Sequence, residues 1–340
     1  MNTRDLFDLI ELIAPPHMAA AWDRCGVQVA SDVRDASRLA VALDPTPEVL
    51  SKALGWGAQV VLTHHPLGKT PRLPDRLDSH HAALRLLLTH RAWLFAAHTS
   101  LDCAPGGPAT WLADELGLRD REIVDPQGVT PRIMGIYKEV AMDGFDALAL
   151  PESLDVDRLH FDRDALRHAP QAFSCPEPQW AALGRALADC RDVSSLAGAV
   201  RLVEPAESFG FGLLGALPDP LPWEGFLTRI WETVPRSFLT LVGTPPAHVR
   251  TMAYCTGSGA SLADKAFAKG ADVFLTGDVT HHPALDSKDL GLTIDCGHRV
   301  LEEEMMRRLA GTLSVQVRDH GLDVRFFESA DPMRAVLRPV

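Results

Sequence analysis

The feature that most restricts this chain is a series of short apolar runs, each of strand length and each ending on polar residues. Residues 39–43 lead to Asp44, residues 58–62 to Thr63-His64-His65-Pro66, and residues 92–97 to His98-Thr99-Ser100-Leu101-Asp102. Later, residues 252–255 lead to Gly257-Ser258-Gly259, and Leu292-Thr293-Ile294 leads to Asp295-Cys296-Gly297-His298. Largely apolar runs of this length suit strands buried on both faces, which needs helices on both sides of a sheet. Residues 47–55 supply one such helix. GAQVVLTHHPL from Gly57 also resembles GADVFLTGDVTHHPAL from Gly270, and each follows a strand and a helix. The pattern predicts the α/β class, with two related α/β units over residues 1–125 and 206–340.

Between them, residues 126–205 read as an inserted subdomain. LDVDRLHFDRDALRHAP from Leu154 is rich in charge and lacks clear periodicity, with Pro151, Pro170, Pro176 and Pro178 around it. His160 and His168 stand singly among charged neighbours there and read as solvated surface. Order resumes at Phe209-Gly210-Phe211-Gly212, and LLGALPDPLPWEGFLTRIW then predicts a strand, a proline-rich turn and a helix. At the start, Thr3 is expected to cap a helix with Leu6, Leu9, Ile10 and Ile13 on one face, stopped by Pro15-Pro16. Asp5, Asp8 and Glu11 interrupt it, so it reads as an amphipathic helix and not a signal peptide.

Composition narrows the function. The net charge is −12 and no run of Lys or Arg occurs, which argues against a nucleic-acid partner. No apolar run reaches the length of a membrane span. Cys25, Cys103, Cys175, Cys190, Cys255 and Cys296 are scattered singly, the usage of reduced thiols in a cytoplasmic protein.

The chemistry gathers where the apolar runs end, the place where open α/β sheets collect ligands. His64 and His65 are adjacent there. Asp102 offers two oxygens able to bridge cations, or a plain helix cap. His298 and Glu302 lie one turn apart on a predicted helix, where they are either a metal-gripping pair or a solvated face. Imidazole nitrogen with carboxylate oxygen suits Zn, Mn or Fe. By contrast, His80-His81 falls on the polar side of a helix and carries no such signal. Gly257-Ser258-Gly259 is too short for a nucleotide fingerprint and reads as tight-turn packing.

With these residues in view, WDRCGVQV from Trp22, VALDPTPEVL, GAQVVLTHHPL, HTSLD, GFGLLGALP, the Gly-Ser-Gly turn, GADVFLTGDVTHHPALD and DCGHRVLEEE occur in a telling order. Both ends of the chain resemble the Nif-three-like family, also called GTP cyclohydrolase I type 2 homologues. The resemblance implies two α/β units facing one another across a cleft that binds two divalent metal ions, and assembly into a toroidal homohexamer. The family's adjacent histidines fall on His64 and His65, its carboxylate on Asp102, and its final histidine and glutamate on His298 and Glu302. His98 and His282 match further family positions near the site, as supporting or acid–base residues, although Pro283 departs from the family's usual acidic or polar residue. Two ions of Zn, Fe or Mn per chain, with metal-activated water, imply a hydrolase acting on a nucleotide or related heterocycle. The alternative is a non-enzymatic metal-handling or regulatory interaction protein built on the same ligands. The expected partners are other copies of the chain and a small-molecule substrate.

Overall fold

The computed structural model describes residues 1–137, 150, 154–160, 171–188 and 196–333. His168, Cys190 and the side chain of His160 lie outside the described residues, as do Pro151 and Pro170. The chain forms two compact units, residues 1–127 with 210–340, and residues 128–209. The two α/β segments expected at either end are thus parts of one unit.

Its first half begins with helix α1 (Thr3–Ile13), capped by Asn2, whose side chain accepts the Arg4 N–H. Thr3 does not cap. Its hydroxyl turns inward to the carbonyls of Val33 and Arg34, at 3.3 and 3.1 Å. Then follow β1 (Gly26–Val29), β2 (Arg38–Ala42), α2 (Pro47–Gly55), β3 (Val60–Thr63), α3 (Ser79–Thr89), β4 (Trp93–Ala96), α4 (Thr99–Asp102) and α5 (Trp111–Leu116). Strands β2, β3 and β4 are parallel and β1 pairs antiparallel with β4, in the order β1-β4-β3-β2.

The long strands β5 (Arg119–Tyr137) and β8 (Leu196–Pro222) flank the second unit's β6 (Asp157–His160), β7 (Gln171–Pro176) and α6 (Trp180–Ala188). Taken by itself, that unit pairs β6 and β5 antiparallel on either side of β7, over a small core of Tyr137, Phe173, Cys175, Leu183 and Leu187.

The first unit resumes with α7 (Trp223–Thr233), β9 (Thr240–Val242), β10 (His248–Tyr254), α8 (Ala263–Ala268), β11 (Val273–Thr276), α9 (His281–Ser287), β12 (Leu292–Asp295), α10 (His298–Gln316) and β13 (Asp323–Phe327). Strands β10, β11 and β12 are parallel, with β9 antiparallel to β12, so the order β9-β12-β11-β10 repeats that of the first half. The repeat extends to single atoms. Gly57 and Gly270 both hold φ 92° where a helix turns into a strand. Gln59 and Asp272, two residues on, both accept backbone N–H groups at the start of the neighbouring strand, from Arg38 and from Arg250 and Thr251.

Alternation along the strands splits the core into layers. Leu39, Val41, Val60 and Leu62 of one sheet and Met252, Tyr254, Val273 and Leu275 of the other face a shared core filled by α10. Ala40, Ala42 and Val61 pack outward on α2 and α3, and Ala253 and Phe274 pack outward on α8. The last strand, β13, returns to pair in parallel with β2. The expected proline-rich turn is instead a bulge within β8. His248 and Val249 pair with Pro222 and Leu221, but Thr251 pairs with Ala216, so the register against β10 shifts across residues 217–220, where prolines have no ladder N–H to give. Among the described residues no helix is long and apolar enough to cross a membrane.

Candidate metal centre

Three strand ends converge inside the first unit. His64 and His65 follow β3, His98 precedes α4, which ends at Asp102, and His298 opens α10 with Glu302 one turn later. The same element carries the same motif in each half: His98-Thr99-Ser100-Leu101-Asp102 after β4 and His298-Arg299-Val300-Leu301-Glu302 after β12. In both, the leucine is buried and the acid turns toward one centre. His64 Nε2 lies 3.4 Å from Glu302 Oε1 and 3.6 Å from Asp102 Oδ2. Glu302 Oε2 lies 3.3 Å from His65 Nε2 and 3.2 Å from His298 Nε2, and these two nitrogens are 3.3 Å apart. His64, His65 and His98 form a further group of ligand atoms, with the His98 ring centroid 5.0 Å from that of His64. His282, on α9, is exposed and belongs to none of these groups.

The far side of each ring explains the near side. Nδ1 of His64 lies 2.9 Å from the carbonyl of Ala97, that of His65 2.7 Å from Asp44, that of His98 2.9 Å from Asp23, and that of His298 2.7 Å from Asp278. An acceptor at Nδ1 fixes the proton there and leaves Nε2 as a bare lone pair. Four such lone pairs and two carboxylates then point at one another. His64 Nε2 and Glu302 Oε2 are sealed from solvent without a hydrogen bond, although charged atoms stand close by. Ligand atoms about 2.0–2.2 Å from a tetrahedral cation lie roughly 3.3–3.6 Å apart, which is the spacing found between these atoms. The residues fit a divalent metal.

Gly257 completes the cradle. It holds φ 60°, and a Cβ there would strike Glu302 Oε1 and reach within 3.4 Å of His298 Nε2. The Gly-Ser-Gly turn therefore serves close packing. Thr256 beside it donates to Asp102 Oδ1 at 2.9 Å.

The profile of the Duf34/NIF3 (NGG1p interacting factor 3) family matches residues 1–332. The chain belongs to this family. Among NIF3 relatives, a Halalkalibacterium halodurans protein described as a GTP cyclohydrolase 1 type 2 homolog is 26% identical, over 97% of this chain and 96% of its own. One of the same description from Staphylococcus epidermidis is 24% identical over 85% of this chain and 86% of its own. In three dimensions, a Bacillus cereus protein related to NIF3 superposes with a TM-score of 0.79 at 24% identity, covering 99% of both chains. A Staphylococcus aureus protein does so at 0.71 and 23%, again over 99% of both. The fold is the NIF3 fold.

In this NIF3 site the electrostatics ask for positive charge. Burial opposes a charged His65, yet the Asp44 and Glu302 carboxylates outweigh it and push the ring up to about 10. Glu302 raises His298 to about 9 against burial, with Asp278 adding to the effect. Burial above all raises Asp102, and the Glu302 charge adds to it. Glu302 itself, though desolvated, is held well below the usual carboxylate range by His64, His298 and His65. Without a metal, protons take the cation's place.

Asp23, Asp44, Asp278 and Thr256 do not stand out in the sequence. Their signal is positional: Asp44 and Asp278 each sit two residues beyond a parallel strand.

Proposed function

We propose that this NIF3 protein binds two divalent ions, Zn, Fe or Mn, and is a metal-dependent hydrolase acting on a nucleotide or related heterocycle. The observation that carries the reading is the 3.3 Å approach of His65 Nε2 to His298 Nε2, each ring backed at Nδ1 by a carboxylate. Two ring nitrogens this close, beside the Glu302 carboxylate, call for positive charge at the centre, which protons supply in the free protein and a metal ion would supply when bound.

His64, Asp102 and Glu302, the deepest of the set, would hold ions from below. The side chains of His65 and His298, 22% and 31% exposed, would hold them on the more open side. Bound divalent ions supply Lewis acidity and acidify water at neutral pH. The chain's own contribution beside them is the Asp23–His98 pair. Burial disfavours ionised Asp23, but His98 and Thr99 hold it well below the usual carboxylate range, so it keeps the His98 proton on Nδ1 and turns Nε2 to the centre. This arrangement lets His98 take and return a proton at Nε2 during hydrolysis.

Metal analysis of protein purified without chelator or histidine tag should give about two ions per chain, and Asp102→Ala should lose at least one. Unchanged content in that variant removes Asp102 from the site. Loaded protein tested on GTP and on a panel of phosphoesters and amides should turn one over. Retained metal with no turnover favours the metal-handling alternative. We further place the protein in the cytoplasm as a closed homo-oligomer, a hexamer by family resemblance; light scattering that shows only monomer would dispose of the assembly.

A further inference from the structure

A cavity of about 480 Å³ opens beside the metal centre, wholly within the first unit. It begins at Leu67, two residues beyond His65, and shares Asp23 with the His98 support. Its charge runs against the rest of the molecule. In a chain of net charge −12, its walls carry Arg24 and Arg72, and Asp23 is the one acid among the lining residues. That acid is only 2% exposed, and its oxygens are engaged by His98 and Thr99, so it presents little negative charge to the cavity. Arg72 is held in place by Asp78 at 2.7 Å, while the Arg24 guanidinium makes no ion pair among the described residues. His80 also lines the wall, and its Nε2 is without a hydrogen-bond partner. This residue carried no signal in the sequence. Val27, Leu67, Pro71 and Leu84 complete an apolar side.

We propose that this cavity binds a phosphorylated small molecule, its phosphate between Arg24 and Arg72 and its body against the apolar side. Guanidinium groups match phosphate oxygens bidentately, and the volume lies in the range of small-ligand sites. An uncharged ligand would leave the Arg24 guanidinium and a histidine nitrogen unanswered. The link from this pocket to hydrolysis rests on the reading of the metal centre given above; phosphate binding itself does not.

Calorimetry with GMP, guanosine and inorganic phosphate as probes tests it, on the full chain both as purified and after chelation. GMP should bind at least tenfold tighter than guanosine, and phosphate should compete with it. Arg24→Ala should weaken GMP on the order of ten- to a hundredfold, the scale of a lost charge-assisted hydrogen bond, with Arg24→Lys in between and metal content unchanged in both. Arg24 lies on an exposed loop, so these variants keep the fold. Equal affinity for GMP and guanosine, no binding of GMP, or an Arg24→Ala variant that binds as the parent does overturns the pocket. Protein that carries no metal yet binds GMP through Arg24 upholds the pocket and overturns the metal reading.

Discussion

Asp278 holds a positive φ of 56°, a conformation that costs a residue with a Cβ and persists only where surrounding contacts enforce it. Here the contact is the hydrogen bond to His298 Nδ1, so the local strain is spent on aiming one imidazole. Asp278→Ala should therefore lower metal affinity about 10–100-fold without emptying the fold, the usual loss when a ligand's outer partner is removed; competition against a chelator measures it, and an unchanged affinity would mean that Asp278 does not aim the ring. At Glu302 the expectation is sharper. Glu302→Gln keeps size but replaces an anionic ligand with a neutral amide, so added metal should raise the melting temperature of the parent more than that of the variant. Equal stabilisation of both proteins across a titration would return Glu302 to a helix face. His64, His65, Asp102, His298 and Glu302 stood out as candidates because ligand-type residues right after apolar strands are chemically conspicuous, and the family resemblance drew them into one set. Asp23, Asp44 and Asp278 could not, since a loop carboxylate has many fates and Asp23 meets its histidine 75 positions away.

Gly270 shows how much an element boundary depends on one backbone angle. Nothing lies within 4 Å of the Cβ it lacks, so Gly270→Ala tests the φ of 92° alone. A loss of about 1 kcal/mol in urea unfolding with unchanged metal content is expected, the scale of forcing a side chain into left-handed backbone. A neutral substitution would show that this turn relaxes freely. At Gly57 the same change also meets the Arg38 side chain and should cost more. The central strands were legible for a plain reason: β2, β3, β11 and β12 are buried almost throughout, and apolar runs announce that. Strand β13 was not, because it is half-exposed and takes its identity from a partner near the other end of the chain. The bulge in β8 likewise imitates a turn in sequence, since proline and aspartate mark both.

Across the whole first unit, protons and metal compete for one place. His65 and His298 are raised to about 10 and about 9 in the metal-free protein, so the stability their protons contribute is complete below the unfolded value near 6.5 and is lost as the pH climbs through 9 and 10. Chelated protein should melt earlier at pH 10 than at pH 8, and metal-loaded protein much less so. By the same linkage, metal affinity should rise from pH 7 to 9 by up to about tenfold per unit for each proton displaced, and a flat profile would show that these rings do not hand their protons over to an ion. The pairing of β13 with β2 has a consequence in time. At synthesis rates of roughly 5–20 residues per second, the edge of β2 emerges from the ribosome on the order of 15–60 s before the strand that covers it. Through that interval the N-terminal half carries His64 and His65 without His298 and Glu302 to face them. The nascent chain therefore has an open sheet edge and half a set of ligands at once, and both are closed late in translation by the same short stretch of polypeptide.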